Sequence, residues 1–314
     1  MKDNSRKPRR WRFSGDDLEL TLLALPTFVW YILFSFLPMF GIIIAFKDYK
    51  IAAGGFISNL LGSEWVGLKN FEFLFRSQDA WQIIRNTLGF NIIFIVLGIV
   101  VPVTLAILLS QITNVKAAKF YQTSLFLPHF LSWVVVSYFL YAFLSPDFGI
   151  VNKVIRFFGG DPVMWYSEPG PWVGILIFMN LWKGMGYSMV VYLAGITGID
   201  KSYYEAALID GASHWQQVKY ITLPSIRPLI IIMFIMAIGR IFNADFGLFY
   251  QVPRNSAALY NITTVFDTYV YRSISSANIG MSSAAAFFQS VMGFITIMAA
   301  NFIIRRIDRE SALF

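Results

Sequence analysis

The sequence predicts an all-α membrane protein with six transmembrane helices. Hydrophobic residues make up 57% of the 314 positions, charged residues only 14%, and mean hydropathy is +0.60. A soluble domain of that composition would leave far too much apolar surface in water. The apolar residues are also gathered into runs of the length that crosses a bilayer, about 20 residues. They fall near 20–46, 86–111, 122–144, 171–198, 226–250 and 283–304. The chain divides into a basic N-terminal tail (1–17), a transmembrane domain (18–304) and a C-terminal tail (305–314).

The tail carries Lys2, Arg6, Lys7, Arg9, Arg10 and Arg12. Basic residues beside a span are retained on the cytoplasmic side and meet anionic lipid. Much of the net charge of +7 is therefore read as topology rather than nucleic-acid binding. The first run is too long for a secretory signal and lacks a small-residue cleavage site after it, so it is expected to remain as a helix. With both termini inside, more of the Lys and Arg, including Lys116, Lys119, Lys201, Lys219, Arg227 and Arg309, lie in short cytoplasmic segments than in the longer external ones.

Three external segments follow from that topology. The first, 47–85, holds WVGLKNFEFLF at Trp65–Phe75, whose aromatics suit the membrane interface. The second, 145–170, carries SPDFGIVN and a run of Gly, Pro and aromatics that predicts a structured lip. The third, 250–282, is long for a hairpin, and such loops are functional or disordered. Its Tyr269, Tyr271 and other aromatics argue against disorder and predict packing over the pathway.

One cytoplasmic segment, 199–225, is a polar island that the membrane cannot absorb. It contains EAALIDGASHWQQVKYITLP from Glu205 to Pro224. Ser202 precedes Glu205 by three residues and Ser213 precedes Gln216 by three, so the spacing predicts two short helices, each opened by a capping box. Gly211 takes the left-handed conformation that ends the first helix. Ala206, Ala207 and Ala212 form a small-residue surface that another backbone can approach, and Glu205 and Asp210 offer carboxylates to a basic partner. Pro224 and Pro228 are expected to break the element before the next span.

This spacing resembles the EAA motif of the membrane-spanning permeases of ATP-binding-cassette importers. It departs from that motif at Val218, where an aromatic residue is usual. The phrases W-V-G-L-x-N-F from Trp65, R-N-T-L at Arg85–Leu88, F-L-P-H-F-x-S-W-V-V at Phe126–Val135 and D-T-Y-V-Y-R at Asp267–Arg272 carry the resemblance over nearly the whole chain. They are similar to the sugar-importing branch, in particular its LplB-type, MalF-like subgroup.

The resemblance implies a MetI-like permease fold with a cytoplasmic coupling helix in the bacterial cytoplasmic membrane. It implies that Glu205, Ala206, Ala207, Asp210, Gly211 and Ala212 dock a separate ATPase, with Glu205 as the salt-bridge former. The implied partners are a second homologous permease, a dimer of ATPase subunits and an extracellular solute-binding protein that meets the external loops. ATP and Mg would sit on the ATPase, with no cofactor on this chain. The implied cargo is an oligosaccharide or polysaccharide fragment, moved by alternating access.

Polar residues inside the apolar runs are the candidates for the pathway, because charge at bilayer depth is costly and faces protein or a water-filled cavity. Lys183 lies in the fourth run, and Arg240, Asn243 and Asp245 interrupt the fifth. Arg240 and Asp245 are five apart, a spacing that does not favour an intrahelical pair. A sugar requires hydrogen-bonding groups interleaved with aromatic faces, which Asn180, Tyr187 and Tyr250 would add. Each of these residues is equally compatible with a satisfied contact between helices. Gly184, Gly186, Gly239 and Gly247 nearby permit close packing.

Other functions find little support. There is no cysteine, and the histidines are only His129 and His214, so a metal-dependent enzyme is improbable and no metal site is expected. No G-x-x-x-x-G-K-[ST] loop occurs, so ATP hydrolysis must be borrowed. No catalytic constellation appears. An importer for a non-sugar solute remains an alternative, as does an ion-coupled secondary transporter, although the internal repeats common in the latter are absent.

Overall fold

Backbone in hydrocarbon must satisfy its own N–H and C=O groups, and this chain does so with helices. The computed structural model describes residues 15–76, 78–276 and 278–307. Lys2, Arg6, Lys7, Arg9, Arg10, Arg12 and Arg309, assigned above to cytoplasmic tails, lie outside the described residues. Among the described residues the only extended pairing is an isolated bridge between Lys47 and Trp65.

The first span, Leu18–Phe46, opens as α1 (Gly15–Tyr31), passes through a π-helical turn at Ile32–Phe36 and closes as a 3-10 helix at Phe40–Phe46. Its side chains are exposed along most of its length, and only near its end do Ile44 and Ala45 become buried. A short helix, α2 (Gly55–Gly62), lies in the first external segment.

The second span belongs to α3 (Gln78–Ser110), whose 33 residues make it about 50 Å long. That exceeds the roughly 30 Å of hydrocarbon. Its N-terminal turns hold the chain around residues 260–264: Gln82 Nε2 donates to Tyr260 O (2.9 Å), and Asn86 Nδ2 donates to Asn261 O (2.9 Å) and Thr264 O (3.1 Å).

The third run is not one straight helix. α4 (Val115–Phe126) and a 3-10 turn at Leu127–Phe130 meet α5 (Trp133–Leu144) at a bend of 101°. Pro128 sits in the turn, and the Ser132 hydroxyl accepts from Val135 N (3.3 Å) and so starts a new helix. α6 (Ile150–Phe157) follows in the segment 145–170. α7 (Trp172–Thr197) is the fourth span and packs along α3.

α8 (Lys201–Ile209) leads to α9 (His214–Ile238), where two expectations fail. Pro224 and Pro228 do not break the chain, because α9 runs from the polar segment 199–225 into the apolar run without interruption. A proline ring clashes with the carbonyl one turn back and offers no N–H. The π-helical turn Val218–Thr222 ends two residues before Pro224, a local widening of the kind that lets a membrane helix accommodate a proline ring. The π turn before Pro38 in the first span has the same spacing. The fifth span also stops at Ile238 rather than 250, leaving residues 239–245 non-helical.

The segment 250–282 contains α10 (Phe266–Ser275), which packs on α11 (Ile279–Ile307), the last span. Three buried clusters hold the bundle. Trp172, Leu176 and Phe249 centre one, Phe266, Ile83 and Ala284 a second, and Met189, Tyr192 and Ile226 the third. The bundle is membrane-embedded, so large side chains such as Leu23, Phe178 and Phe294 remain outside these clusters and exposed.

Candidate functional site

Where α9 stops, its last carbonyls lose their helical partners and need other donors. Asn91, buried on α3, supplies them to the non-helical stretch: its Nδ2 donates to Ile241 O (2.7 Å) and Asn243 O (2.9 Å). From the other side Asp267 of α10 accepts from Ala244 N (2.7 Å) and Gln289 Nε2 (3.2 Å). Asp245 caps the next turn, its Oδ1 accepting from Gly247 N (2.8 Å) and Leu248 N (3.2 Å). Its Oδ2 accepts from the indole Nε1 of Trp133 at 2.7 Å. Gly247 lies directly against that indole, and a Cβ there would stand 2.1 Å from Trp133 Cδ1.

The break borders a cavity of about 270 Å³ between α3, α7 and α9. Asn91, Asn180, Ser188, Arg240, Asn243 and Asp245 give it polar walls, and Phe94, Ile95 and Met233 apolar ones. Tyr192 also lines it; the residue is fully buried, and its hydroxyl has no hydrogen-bond partner. Non-helical backbone at membrane depth is tolerated where it lines such a space.

Four residues picked from the sequence, Asn180, Arg240, Asn243 and Asp245, therefore share one cavity. Arg240 and Asp245 form no ion pair with each other. Lys183 and Tyr187 face the end of α4 instead. Lys183 Nζ donates to His129 O (3.1 Å) and lies 5.2 Å from the Trp133 ring centroid, while Tyr187 stacks on His129 at 4.9 Å. Tyr250 belongs to an aromatic cluster with Phe246 (4.8 Å) and Tyr271 (5.0 Å). Phe246 and Tyr271 in turn line a second cavity of about 350 Å³ with Asp267 and Gln289.

Sequence reasoning missed Asn91, Trp133, Ser188 and Tyr192. Asn180, Gly184, Ser188 and Tyr192 recur every four residues, the spacing of one helix face. That face could have been found from spacing. No Cβ clash confines Gly184 to glycine. Trp133 had no such signal, since its partner is 112 residues away.

The segment 199–225 folds as two helices about Gly211, whose φ is +77°. Ala212 N donates to Ala207 O (2.8 Å) and Gly211 N to Leu208 O (3.1 Å), the paired bonds of a Schellman ending. The capping box at Ser213 and Gln216 forms. The one expected at Ser202 does not: α8 begins at Lys201, and Asp200 accepts from Ser202 N (2.9 Å) as the cap. That bond holds the Asp200 carboxyl below its ordinary range. Tyr204 and Thr222 hydroxyls, 2.9 Å apart, tie α8 to α9, and Val218 is buried.

Glu205, Ala206, Asp210 and Gly211 are exposed, and Ala207 and Ala212 partly so. Beside them stand large apolar side chains that sequence reasoning did not single out: Leu208, Ile209 (88% exposed), Trp215 and Tyr220. Contiguous exposed apolar side chains of this kind mark a protein or membrane contact.

The segment 145–170, expected from the sequence to form a lip, is built on Asn152, which is 1% exposed. Its Nδ2 donates to Val163 O (2.9 Å) and Pro146 O (3.2 Å), and its Oδ1 accepts from Val163 N (3.1 Å) and Trp165 Nε1 (2.9 Å). Burial pushes the nearby Tyr166 hydroxyl up to about 12. Phe148, Phe157 and Phe158 project from this lip. No cluster of His, Asp or Glu suited to a metal occurs among the described residues.

Residues 98–309 match the family described as binding-protein-dependent transport system inner membrane component. The polygalacturonan/rhamnogalacturonan transport system permease protein YteP of Bacillus subtilis (strain 168) is 35% identical over 93% of this chain and 89% of its own length. Protein LplB of the same organism is 33% identical over 94% and 91% respectively. Among solved structures, a bacterial alginate ABC transporter in complex with an alginate pentasaccharide-bound periplasmic protein contains a similar chain. It shares 32% identity, with a TM-score of 0.84 over 96% of this chain and 98% of that one.

Proposed function

Because the chain belongs to the family of inner membrane components of binding-protein-dependent transport systems, we propose that it is one permease half of an ATP-driven importer of oligosaccharides or polysaccharide fragments. The observation that carries the cargo class is the cavity beside the break in the fifth span. Its amide, hydroxyl and guanidinium groups beside Phe94 suit a sugar's hydroxyls and its C–H faces. The similarity to transporters named for polygalacturonan, rhamnogalacturonan and alginate points the same way.

In this reading a second, related permease completes the pathway, and two ATPase subunits dock on the two cytoplasmic loops. Glu205, Ala206, Ala207, Asp210, Gly211 and Ala212 form this chain's dock, with Leu208, Ile209 and Trp215 as its apolar anchors. Both termini lie in the cytoplasm, and ATP and Mg are bound by the ATPase. The uninterrupted α9 supports a direct mechanical route, since its first turn, His214–Gln217, stands in the dock and its last, near Ile238, adjoins the cavity. ATP binding would draw the docks together and open the cavity outward to the loaded binding protein, and hydrolysis would reset it.

Affinity purification of the detergent-solubilised chain tests the assembly. A homologous permease and an ATPase are expected to co-purify with the wild type, and the ATPase to be lost from the Glu205→Ala, Gly211→Pro double variant. A chain that purifies alone, or an ATPase retained by the variant, would overturn the dock. Uptake driven by an ion gradient without ATP would favour the secondary transporter.

A further inference from the structure

Resting on the saccharide-importer reading, we propose that Arg240 is a specificity-determining residue that recognises a carboxylate, so the glycan passing this cavity is an acidic, uronate-bearing one. Apart from Arg240 and Asp245, the polar walls of the cavity are uncharged: Asn91, Asn180, Ser188, Asn243 and the Tyr192 hydroxyl. Those groups suffice for the hydroxyls of a neutral sugar, and Arg240 goes beyond what such a cargo needs.

Its guanidinium is also uncommitted. Arg240 is exposed to the cavity and forms no ion pair among the described residues. The one carboxylate in the same walls, Asp245, has its oxygens turned to Trp133 Nε1 and to the N–H groups of Gly247 and Leu248. It supplies counter-charge while its hydrogen-bonding capacity is used elsewhere. A cation in the body of a helical membrane protein is costly, and it persists where water or an anionic guest meets it. The planar fork of an arginine matches a carboxylate with paired donors, a geometry that lysine or an amide does not reproduce.

A second, independent observation points to a ligand in the same place. The Tyr192 hydroxyl lies in the cavity wall, fully buried and unpartnered, although a buried hydroxyl ordinarily finds a partner. Arg240 for a carboxylate and Tyr192, with Asn180 and Ser188 on the same helix face, for ring hydroxyls describe the pattern that a uronate residue presents.

The test uses the complete transporter with its own binding protein in proteoliposomes. The probes are short oligogalacturonates and oligomannuronates together with their carboxyl-reduced, uncharged counterparts. Wild type and R240Q are compared by the ratio of acidic to reduced uptake, so that the binding protein's own selectivity cancels. The ratio is expected to fall about tenfold or more in R240Q, the loss of one charge-assisted bidentate contact. R240K, which keeps the charge and loses the fork, is expected to fall in between, and it carries the test should R240Q not assemble.

A ratio unchanged in both variants overturns the inference and leaves the importer reading standing. So does a wild type that moves the reduced glycans and not the acidic ones. A wild type that assembles and hydrolyses ATP but moves neither kind overturns the saccharide reading, and the inference falls with it.

Discussion

Trp133 and Asp245, 112 residues apart in the sequence, meet through a 2.7 Å hydrogen bond from the indole Nε1 to Oδ2. Trp133 is the first residue of the helix that begins after the 101° bend in the third span. Asp245 caps the turn that follows the break in the fifth. One charge-assisted bond thus joins the bend after the third apolar run's first helix to the break in the fifth span. Gly247 lies beneath the ring, and a side chain there would displace the indole.

Trp133→Phe removes the donor while keeping an aromatic ring. The bond lost is worth about 1.5 kcal/mol, so the thermal midpoint of the solubilised complex is expected to fall. Asp245→Asn, which keeps an acceptor, is expected to fall less than Asp245→Ala. Equal midpoints for wild type and Trp133→Phe would show that the bond contributes nothing to holding the break.

Asn91 is the second tether of the break. Asn91→Leu would leave the carbonyls of Ile241 and Asn243 without their donor, at about 1–3 kcal/mol for each group. Asn91→Asp is expected to be worse, since it sets a carboxylate against two carbonyl oxygens. Thermal unfolding followed by tryptophan fluorescence orders the variants, and a Leu variant as stable as wild type would contradict the tether.

Gly211 turns the cytoplasmic segment at φ +77°. A Cβ in that conformation costs about 1–2 kcal/mol, so Gly211→Ala should loosen the helix pair while leaving the spans folded. The expected readout is fewer solute molecules moved per ATP hydrolysed. Unaltered coupling in Gly211→Ala would detach the turn from the power stroke.

The cap on α8 sets a pH dependence. The Asp200 carboxyl has a lowered pKa because Ser202 N–H bonds to its charged form. Its contribution is therefore fully present above the unfolded value, about 3.9, and is lost as pH falls through the lower folded one. Amide exchange across residues 202–209 should quicken in acid for the wild type. Asp200→Asn should remove that acid sensitivity, because an amide oxygen caps without titrating.

Asn152 holds the external lip. Asn152→Ala would strand the Val163 amide, the Trp165 indole and two carbonyls, at more than about 2 kcal/mol in total. Binding-protein-stimulated ATP hydrolysis is expected to drop, with the unstimulated rate retained. Full stimulation in this variant would mean that the lip only joins two spans.

The sequence by itself determined the all-helical membrane class, the approximate places of the spans, the turn at Gly211 and the family. Each rests on local information: apolar run length, capping spacing, a glycine at a left-handed position. It also marked Asn180, Arg240, Asn243 and Asp245 as polar groups in apolar surroundings. Tertiary structure alone decided where that polarity goes. The fifth span ends at Ile238 because Asn91 on another helix and Asp267 on a third receive its broken backbone. Pro224 reads as a breaker, yet α9 passes it, with a π turn just before the proline. Lys183 and Tyr187 turned to His129, and Arg240 was left facing open space. Spacing along one helix shows which residues share a face, and only the packing of the other helices decides whether that face meets protein, lipid or a cavity.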